Sequence, residues 1–193
     1  MEKLIQLDKE LFLYLNGLGR EPYDAFWMFM TDKWSSIPLY ALLLILCLRT
    51  LKWKNTLILL LCVAAMIGVT DQLANAFKYG FERLRPCHDE TVEPFMRLVK
   101  SYCGGKFGYF SAHASNSLAT VTFFSILLYK NYKWLPFLLV IWGLTVAYSR
   151  IYIGVHFPLD VITGISIGML LGWLFSKLYL FAIKFVYRNR QMN

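Results

Sequence analysis

Three short polar motifs stand out in a sequence that is otherwise strongly apolar. In the segment 149–160, His156 and Asp160 are four residues apart, a spacing at which two side chains can meet on one helical face. The carboxylate can then fix the tautomer of the imidazole and stabilise the positive charge that forms when the ring acts as a nucleophile. Histidine and aspartate also bind zinc, but a zinc site needs more ligands, and the nearby cations favour a phosphate instead.

The other two motifs supply cations and a flexible backbone. Lys78 and Arg85 are seven residues apart, which predicts one helical face two turns long, although such residues also attract anionic lipid without catalysis. The glycine-rich segment 104–113 ends in Ser111 and His113, where a helix is predicted to begin. Free N–H groups and the positive end of the helix dipole would favour a phosphate there. A serine that only caps the helix is the simpler alternative.

In order, type and spacing, the three motifs resemble those of the type 2 phosphatidic acid phosphatase (PAP2) superfamily. The family pattern is Lys, six residues, Arg-Pro; then Pro-Ser-Gly-His; then Ser-Arg, five residues, His, three residues and Asp. The first and third motifs are complete, whereas Phe110 and Ala112 replace the proline and the glycine of the second. Because alanine is strained at positive φ, we expect a change of loop geometry and substrate fit there. The resemblance covers roughly residues 71–172.

The resemblance implies a metal-independent phosphatase without a cofactor. By this resemblance, His156 attacks phosphorus and becomes a phosphohistidine, Asp160 supports the ring, and His113 protonates the leaving oxygen and then activates water. Fixed cations can replace metals in this role, because phosphoryl transfer needs mainly positioning and charge stabilisation. The residues expected to bind the substrate phosphate are Lys78, Arg85, Ser111, Ala112 and Arg150.

A lipid phosphate is the expected substrate, since the motifs lie at the ends of predicted membrane spans. The resemblance allows undecaprenyl diphosphate, phosphatidylglycerol phosphate, phosphatidate or a lipid A phosphate. Two other classes stay open, namely a phosphotransferase that passes the phosphoryl group to an alcohol and a non-catalytic lipid-binding or transport protein. No nucleic-acid partner is expected, because the net charge of +8 is held in short stretches between long apolar runs.

The elements that must position these residues are membrane-spanning helices. Of the 193 residues, 58% are hydrophobic, and the mean hydropathy is +0.48, whereas soluble proteins have roughly 45–50% apolar residues. The sequence therefore predicts an all-α polytopic bundle that forms a single domain over residues 1–193. Five stretches are apolar enough and about long enough to span a bilayer: 34–51, 56–77, 110–129, 134–149 and 161–183.

The N-terminal region is less regular. Residues 11–30 are interrupted by glycine, proline and charged residues, so a sixth span and an interfacial or re-entrant segment are both open. In the segment 4–15, which overlaps the start of this region, four leucines share one helical face: Leu4, Leu7, Leu11 and Leu15. We expect an amphipathic helix at the membrane surface, a packing helix being the alternative.

Small residues recur every four positions along the last span, at Gly164, Gly168 and Gly172. Such a stripe lets another helix approach closely. Packing within the chain explains it, and a dimer seam is the alternative. The oligomeric state stays undetermined.

Charge in the connecting segments predicts the orientation. The links 49–54 and 129–133 and the tail 184–190 are basic and contain no acid, so the positive-inside rule places them in the cytoplasm. The loop 78–109 and the three motifs would then face the periplasm or exterior of a bacterial inner membrane.

Three further residues invite interpretation. Cys87 and Cys103 lie in the loop placed outside, where an oxidising compartment would permit a disulfide, free thiols being the alternative.

Asp71 shares a helical face with Lys78, and an ionisable group at membrane depth usually has a partner. We expect Asp71 to support the basic cluster or a neighbouring helix without reacting itself.

Overall fold

The computed structural model describes residues 2–191, with side chains for residues 2–186, so the basic tail 184–190 lies largely outside the described side chains. Every long element in this part of the chain is a helix, which confirms the all-α prediction. The helices are α1 (Glu2–Gly17), α2 (Glu21–Thr31), α3 (Ile37–Thr50), α4 (Trp53–Phe81), α5 (Ala112–Leu128), α6 (Leu135–Tyr152) and α7 (Pro158–Gln191). Single 3₁₀ turns lie at Lys33–Ser36, Pro86–His88 and Glu93–Phe95.

The five predicted spans correspond to α3 through α7. Four stretches of the described chain are long and apolar enough to cross a membrane: Lys33–Thr50, Trp53–Phe81, Leu135–Tyr152 and Pro158–Val186. The third predicted span, α5, is shorter, with 17 residues. Most of its side chains are buried, since α4, α6 and α7 pack around it. It is therefore the central helix of the bundle.

Residues 11–30 form two helices instead of a sixth span. The chain leaves the helical conformation between α1 and α2, where Arg20 is extended at φ −134° and ψ 141°. Pro22 stands in the first turn of α2, a position that proline suits because its missing N–H would have no partner there. Neither helix is among the stretches long enough to cross a membrane.

Helix α1 lies with a polar stripe against the protein. Asp8, Phe12 and Asn16 are four residues apart and buried. The Asn16 side chain donates to the backbone carbonyls of Ile151 and Tyr152 at the end of α6, at 3.1 and 2.9 Å. Three of the four predicted face residues are exposed, at Leu4, Leu7 and Leu11. The helix therefore packs on the protein and still has an exposed apolar face, as the prediction of an amphipathic helix requires.

The glycine stripe of α7 contacts α5 within the same chain. A Cβ added to Gly164 would lie 2.6 Å from the Ser111 carbonyl oxygen, and a Cβ at Gly168 or Gly172 would also collide with a carbonyl oxygen of α5. Close approach of the two backbones thus requires these glycines. It brings the N-terminal ends of α5 and α7 together, beside the C-terminal ends of α4 and α6.

Candidate active site

Lys78 and Arg85 do not lie on one helical face. Helix α4 ends at Phe81, Glu82 is left-handed at φ +48°, and Arg85 is extended at φ −73° and ψ 158°. The prediction of a shared helix is wrong, because a residue that precedes a proline avoids the helical conformation, and Pro86 follows. The two cations nevertheless converge, since both act electrostatically on His156.

The glycine-rich loop encloses Arg85. Its Nε donates to the Phe107 carbonyl at 3.2 Å, and its Nη1 donates to the Cys103 carbonyl at 3.0 Å. An antiparallel bridge between Leu84 and Phe107 joins the first motif to this loop. Gly104 adopts φ +89°, and a Cβ there would lie 3.1 Å from Arg85 Nη1. The loop glycine therefore permits a close approach to the guanidinium.

The second motif starts α5. Ser111 is the N-cap, and its Oγ accepts from the Ala114 N–H at 3.4 Å, so the capping role is present. The hydroxyl keeps a proton that it can donate to a phosphate. Ala112 is the first residue of the helix and has no positive φ, so the strain expected from alanine is absent. Phe110 is buried and packs edge-on against Phe77, with ring centroids 5.2 Å apart.

Arg150 lies near the end of α6 and is only 5% exposed. Its Nη1 donates to Thr31 Oγ1 at the end of α2. Its Nε is among the buried side-chain nitrogens of the described residues that have no hydrogen-bond partner. Since buried polar groups are almost always hydrogen-bonded, a guanidinium that lines a polar cleft and keeps an unpartnered N–H is a candidate to bind an anion.

His156 follows a tight turn between α6 and α7. Gly154 adopts φ +86°, and a Cβ there would lie 2.6 Å from the Arg97 carbonyl oxygen, so only glycine fits. His156 Nδ1 lies 3.5 Å from Asp160 Oδ2, and within the described part of the chain it is a buried atom without a hydrogen bond. Catalytic hydrogen bonds are often long in a free enzyme and shorten when substrate binds.

Burial, followed by the charges of Arg150, Arg85 and Lys78, lowers the pKa of His156 well below its ordinary value. The ring is therefore neutral near pH 7, the form that a nucleophile requires. His113, in the first turn of α5, lies near His156 and faces the charges of Arg150, Lys100 and Lys78. The structure thus brings both histidines of the motifs and the three motif cations to one end of the bundle.

A polar cleft of about 360 Å³ opens at His113 and Arg150, between α2 and the loop that precedes α5. A second cavity of about 390 Å³ shares His113 and extends down α5 to Tyr40, Ile67 and Thr120. These last three residues also line an apolar cavity of about 130 Å³ between α3, α4 and α5. The three cavities therefore lie next to one another, from the polar cleft at the cationic end of the bundle to an apolar cavity further along α5.

Several residues of this region escape sequence reasoning. Thr31 and Lys100 line the polar cleft, but neither belongs to a motif. Arg83 stands inside the first motif at a variable position, and its Nη1 donates to Asp160 Oδ1 at 2.6 Å. Its closeness to Arg85 in the sequence was the one signal for it. Asp8, which pairs with the same guanidinium, gave no signal at all.

Cys87 and Cys103 form a disulfide in the structure, with Cα atoms 6.2 Å apart. His88 lies beside them, and the three side chains are close enough to bind a metal ion. Both sulfurs are already joined in the disulfide, so they cannot act as thiolate ligands. Closing a 16-residue loop stabilises a protein by roughly 3 kcal/mol. The bond ties the segment after Arg85 to the glycine-rich loop that holds this arginine.

We expect the double variant Cys87→Ser/Cys103→Ser to have a lower Tm and weaker phosphate binding, because the loop around Arg85 loosens. Thermal unfolding and product inhibition by inorganic phosphate measure the two effects. Cys47→Ser is the matched control, since Cys47 is a buried free cysteine elsewhere. Labelling of Cys87 and Cys103 in unreduced cells would contradict the bond and also weaken the predicted orientation.

Asp71 supports a neighbouring helix. Its Oδ1 accepts from Asn116 Nδ2 of α5 at 2.8 Å, and it acts electrostatically on Lys78. We expect Asp71→Asn to fold and to reduce kcat/KM by about threefold to tenfold, because the amide oxygen can still accept from Asn116 but the charge that acts on Lys78 is lost and the hydrogen bond becomes a weaker, neutral one. Asn116→Ala, measured beside it, should give a similar loss. Complete inactivation of folded Asp71→Asn would instead make Asp71 part of the chemistry.

Comparison with known proteins agrees with this geometry. Residues 55–184 match the PAP2 superfamily. The chain is 35% identical over 177 residues to a lipid A 4'-phosphatase of Bacteroides thetaiotaomicron, covering 91% of this chain and 78% of the relative. A lipid A 4'-phosphatase of Porphyromonas gingivalis is 34% identical over 186 residues, covering 94% and 77%.

The fold is similar to a solved structure as well. The crystal structure of a transmembrane PAP2 type phosphatidylglycerolphosphate phosphatase from Bacillus subtilis superimposes with a TM-score of 0.70 at 22% identity, covering 92% of this chain and 87% of that chain. The motifs, the family match and the fold agree. The chain therefore belongs to the PAP2 superfamily and is a membrane enzyme that hydrolyses phosphate esters.

Proposed function

We propose that this enzyme removes a phosphate from a lipid through a phosphohistidine on His156. The observation that carries the proposal is the convergence of a buried neutral imidazole with three cations at one end of the bundle, where His113 and Arg150 also line a polar cleft. The polar end suits a phosphate, and the apolar cavity between α3, α4 and α5 suits a hydrocarbon chain.

The reaction would begin with attack by His156. Because Nδ1 faces Asp160, Nε2 is the nitrogen that forms the bond to phosphorus, while the bond from phosphorus to the lipid oxygen breaks. Lys78, Arg85 and Arg150 stabilise the charge on the phosphoryl oxygens. His113 donates a proton to the leaving oxygen and then takes one from the water that releases phosphate from His156.

A lipid A phosphate is the substrate that we propose to test first. The two curated relatives described above are lipid A 4'-phosphatases, and each alignment covers more than nine-tenths of this chain. Two lysines beyond the motifs, Lys33 and Lys100, also line the polar cleft and would attract a multiply charged headgroup. We place the site at the periplasmic face of the bacterial inner membrane, as the acid-free links suggest.

The test is phosphate release by purified enzyme in detergent, with EDTA present, from a panel of lipids. The panel contains lipid A, undecaprenyl diphosphate, phosphatidylglycerol phosphate and phosphatidate. We expect turnover of lipid A to be fastest and insensitive to EDTA. Transfer to an added alcohol without phosphate release would favour the phosphotransferase, and binding without either product would favour a lipid-binding protein. A strict Mg²⁺ requirement would contradict the proposed mechanism.

The pH dependence provides a further prediction. Protonation of His156 would remove the nucleophile. Because the pKa of His156 is lowered, kcat/KM should fall only at a pH below the ordinary imidazole pKa of about 6.5. Lys78→Gln removes a cation from the ring and therefore favours its protonation, so the acidic limb of the variant should move to higher pH.

The wild type and Lys78→Gln are assayed with the same substrate, so the titration of the substrate phosphate affects both pH profiles of kcat/KM equally. The groups that face the His156 ring are Arg150, Arg85, Lys78, His113 and Asp160. An acidic limb that stays in place, or moves to lower pH, in Lys78→Gln would contradict a catalytic role for the neutral ring.

A further inference from the structure

Two buried carboxylates share one guanidinium behind the proposed nucleophile. Arg83 Nη1 donates to Asp160 Oδ1 at 2.6 Å, and Arg83 Nη2 pairs with Asp8 Oδ2. Asp160 is 0% exposed and Asp8 is 4% exposed. The guanidinium carbon lies 4.6 Å from the ring centroid of Phe157, the residue after His156. The N-terminal helix α1 thus reaches the catalytic aspartate through a single arginine.

All four carboxylate oxygens of this cluster have a partner. Asp8 Oδ1 accepts from the Leu159 N–H at 2.9 Å, in the first turn of α7. Asp160 Oδ2 accepts from the Phe157 N–H at 3.0 Å and lies 3.5 Å from His156 Nδ1. Rotating the Asp160 carboxylate would therefore break two contacts at once. Its orientation toward the imidazole depends on Arg83, and Arg83 is held by Asp8.

Charge gives Asp8 a second role. A cation alone beside Asp160 would cancel the negative charge that must stabilise the positive ring of His156 during phosphoryl transfer. With Asp8 ionised on the other side, Arg83 and the two carboxylates carry a net charge of −1. Arg83 then fixes the geometry of Asp160 without removing its electrostatic effect on the histidine.

We propose that Asp8 and Arg83 are positioning residues for the reaction, which act on His156 through Asp160. Helix α1 is accordingly part of the catalytic apparatus as well as a membrane-surface element. This inference rests on the proposed phosphohistidine mechanism.

Two variants separate this role from a contribution to folding. Asp8→Asn should lower kcat by about 10–100-fold, the usual loss when a residue that orients a catalytic group is changed, while KM stays within about twofold. Arg83→Lys keeps the buried charge, but one ammonium cannot replace two separate guanidinium contacts, so kcat should fall similarly. Arg83→Lys also tests the role if Asp8→Asn lowers the Tm.

Lys9→Gln is the matched control. Lys9 is the next residue of α1, and its ion pair with Asp89, at 2.7 Å, ties the helix to the loop without touching Arg83. We expect wild-type kcat in Lys9→Gln. If this control loses as much kcat as Asp8→Asn, simple docking of α1 explains the effect and the proposal is wrong.

A double-mutant cycle gives the decisive measurement. If Asp8 acts through Asp160, Asp8→Asn should change kcat by less than about twofold in an Asp160→Asn background, whereas independent effects would multiply. Multiplicative losses, or wild-type kcat in folded Asp8→Asn, would overturn the proposal. These outcomes are distinct from failure of the mechanism itself, which would appear as activity in His156→Ala.

Discussion

Purified His156→Ala is expected to lose lipid phosphate hydrolysis by about 10⁴-fold or more, the scale on which a covalent mechanism fails without its nucleophile. The variant should fold, because the ring is replaced by a smaller side chain and His156 Nδ1 makes no hydrogen bond in the described structure. Initial rates of phosphate release and thermal unfolding measure the two properties. Activity near that of the wild type would contradict nucleophilic attack by His156.

The sequence contains its own control for this experiment. The chain has three histidines, and the third, His88, is exposed, with its ring Nε2 3.5 Å from the Gly104 carbonyl oxygen. His88→Ala should therefore keep wild-type turnover. A sample of the wild type that is quenched in alkaline detergent with labelled substrate should contain protein-bound label that is stable in alkali, lost in acid and absent from His156→Ala.

His113→Ala extends the test to the second histidine. With a substrate whose leaving group needs no proton, this variant should still form the phosphoenzyme but release phosphate slowly, because His113 activates the water. A stoichiometric burst followed by slow turnover is the expected trace. Steady turnover at the wild-type rate would assign the water activation to another group.

Residues close together in sequence were predictable, and residues joined only by the fold were not. The pair His156 and Asp160 was visible because its spacing of four carries meaning before any tertiary structure forms. The pairing of Asp8 with Arg83 joins residues 75 positions apart, and no local pattern indicates such a contact. The leucine pattern of α1 predicts its apolar face, but the face that packs on the protein is the one with Asp8, Phe12 and Asn16.

The sequence prediction was also wrong about where α4 ends. Periodicity placed Lys78 and Arg85 on one face, but the chain leaves the helix after Phe81 and returns through a bridge to the glycine-rich loop. Pro86 was the available signal for this break. No local pattern could indicate the contact of Arg150 with Thr31, because it joins the end of α6 to the end of α2 across the cleft.

Loss of Arg150 is expected to have the second-largest effect. Arg150→Ala should lower kcat/KM by about 10²–10³-fold, the usual cost of removing one preorganised group that stabilises charge in the transition state. The residue lines the cleft, and its Nε has no protein partner in the described structure, so we expect the guanidinium to meet a phosphoryl oxygen there. Inhibition by inorganic phosphate should weaken in parallel with kcat/KM.

Arg150→Lys should recover only a small part of this loss. The guanidinium donates to Thr31 through Nη1 and has further N–H groups for the phosphate, and a single ammonium cannot occupy both places. Thr31→Val keeps the arginine but removes the hydroxyl to which it donates, so we expect its kcat/KM to lie between those of the wild type and Arg150→Ala. Arg49→Ala, at the opposite end of the bundle, serves as the control for removal of an exposed arginine. If Arg150→Ala keeps kcat/KM within about threefold of wild type while Arg49→Ala behaves normally, the phosphate must be held by other cations, and the unpartnered Nε has another explanation.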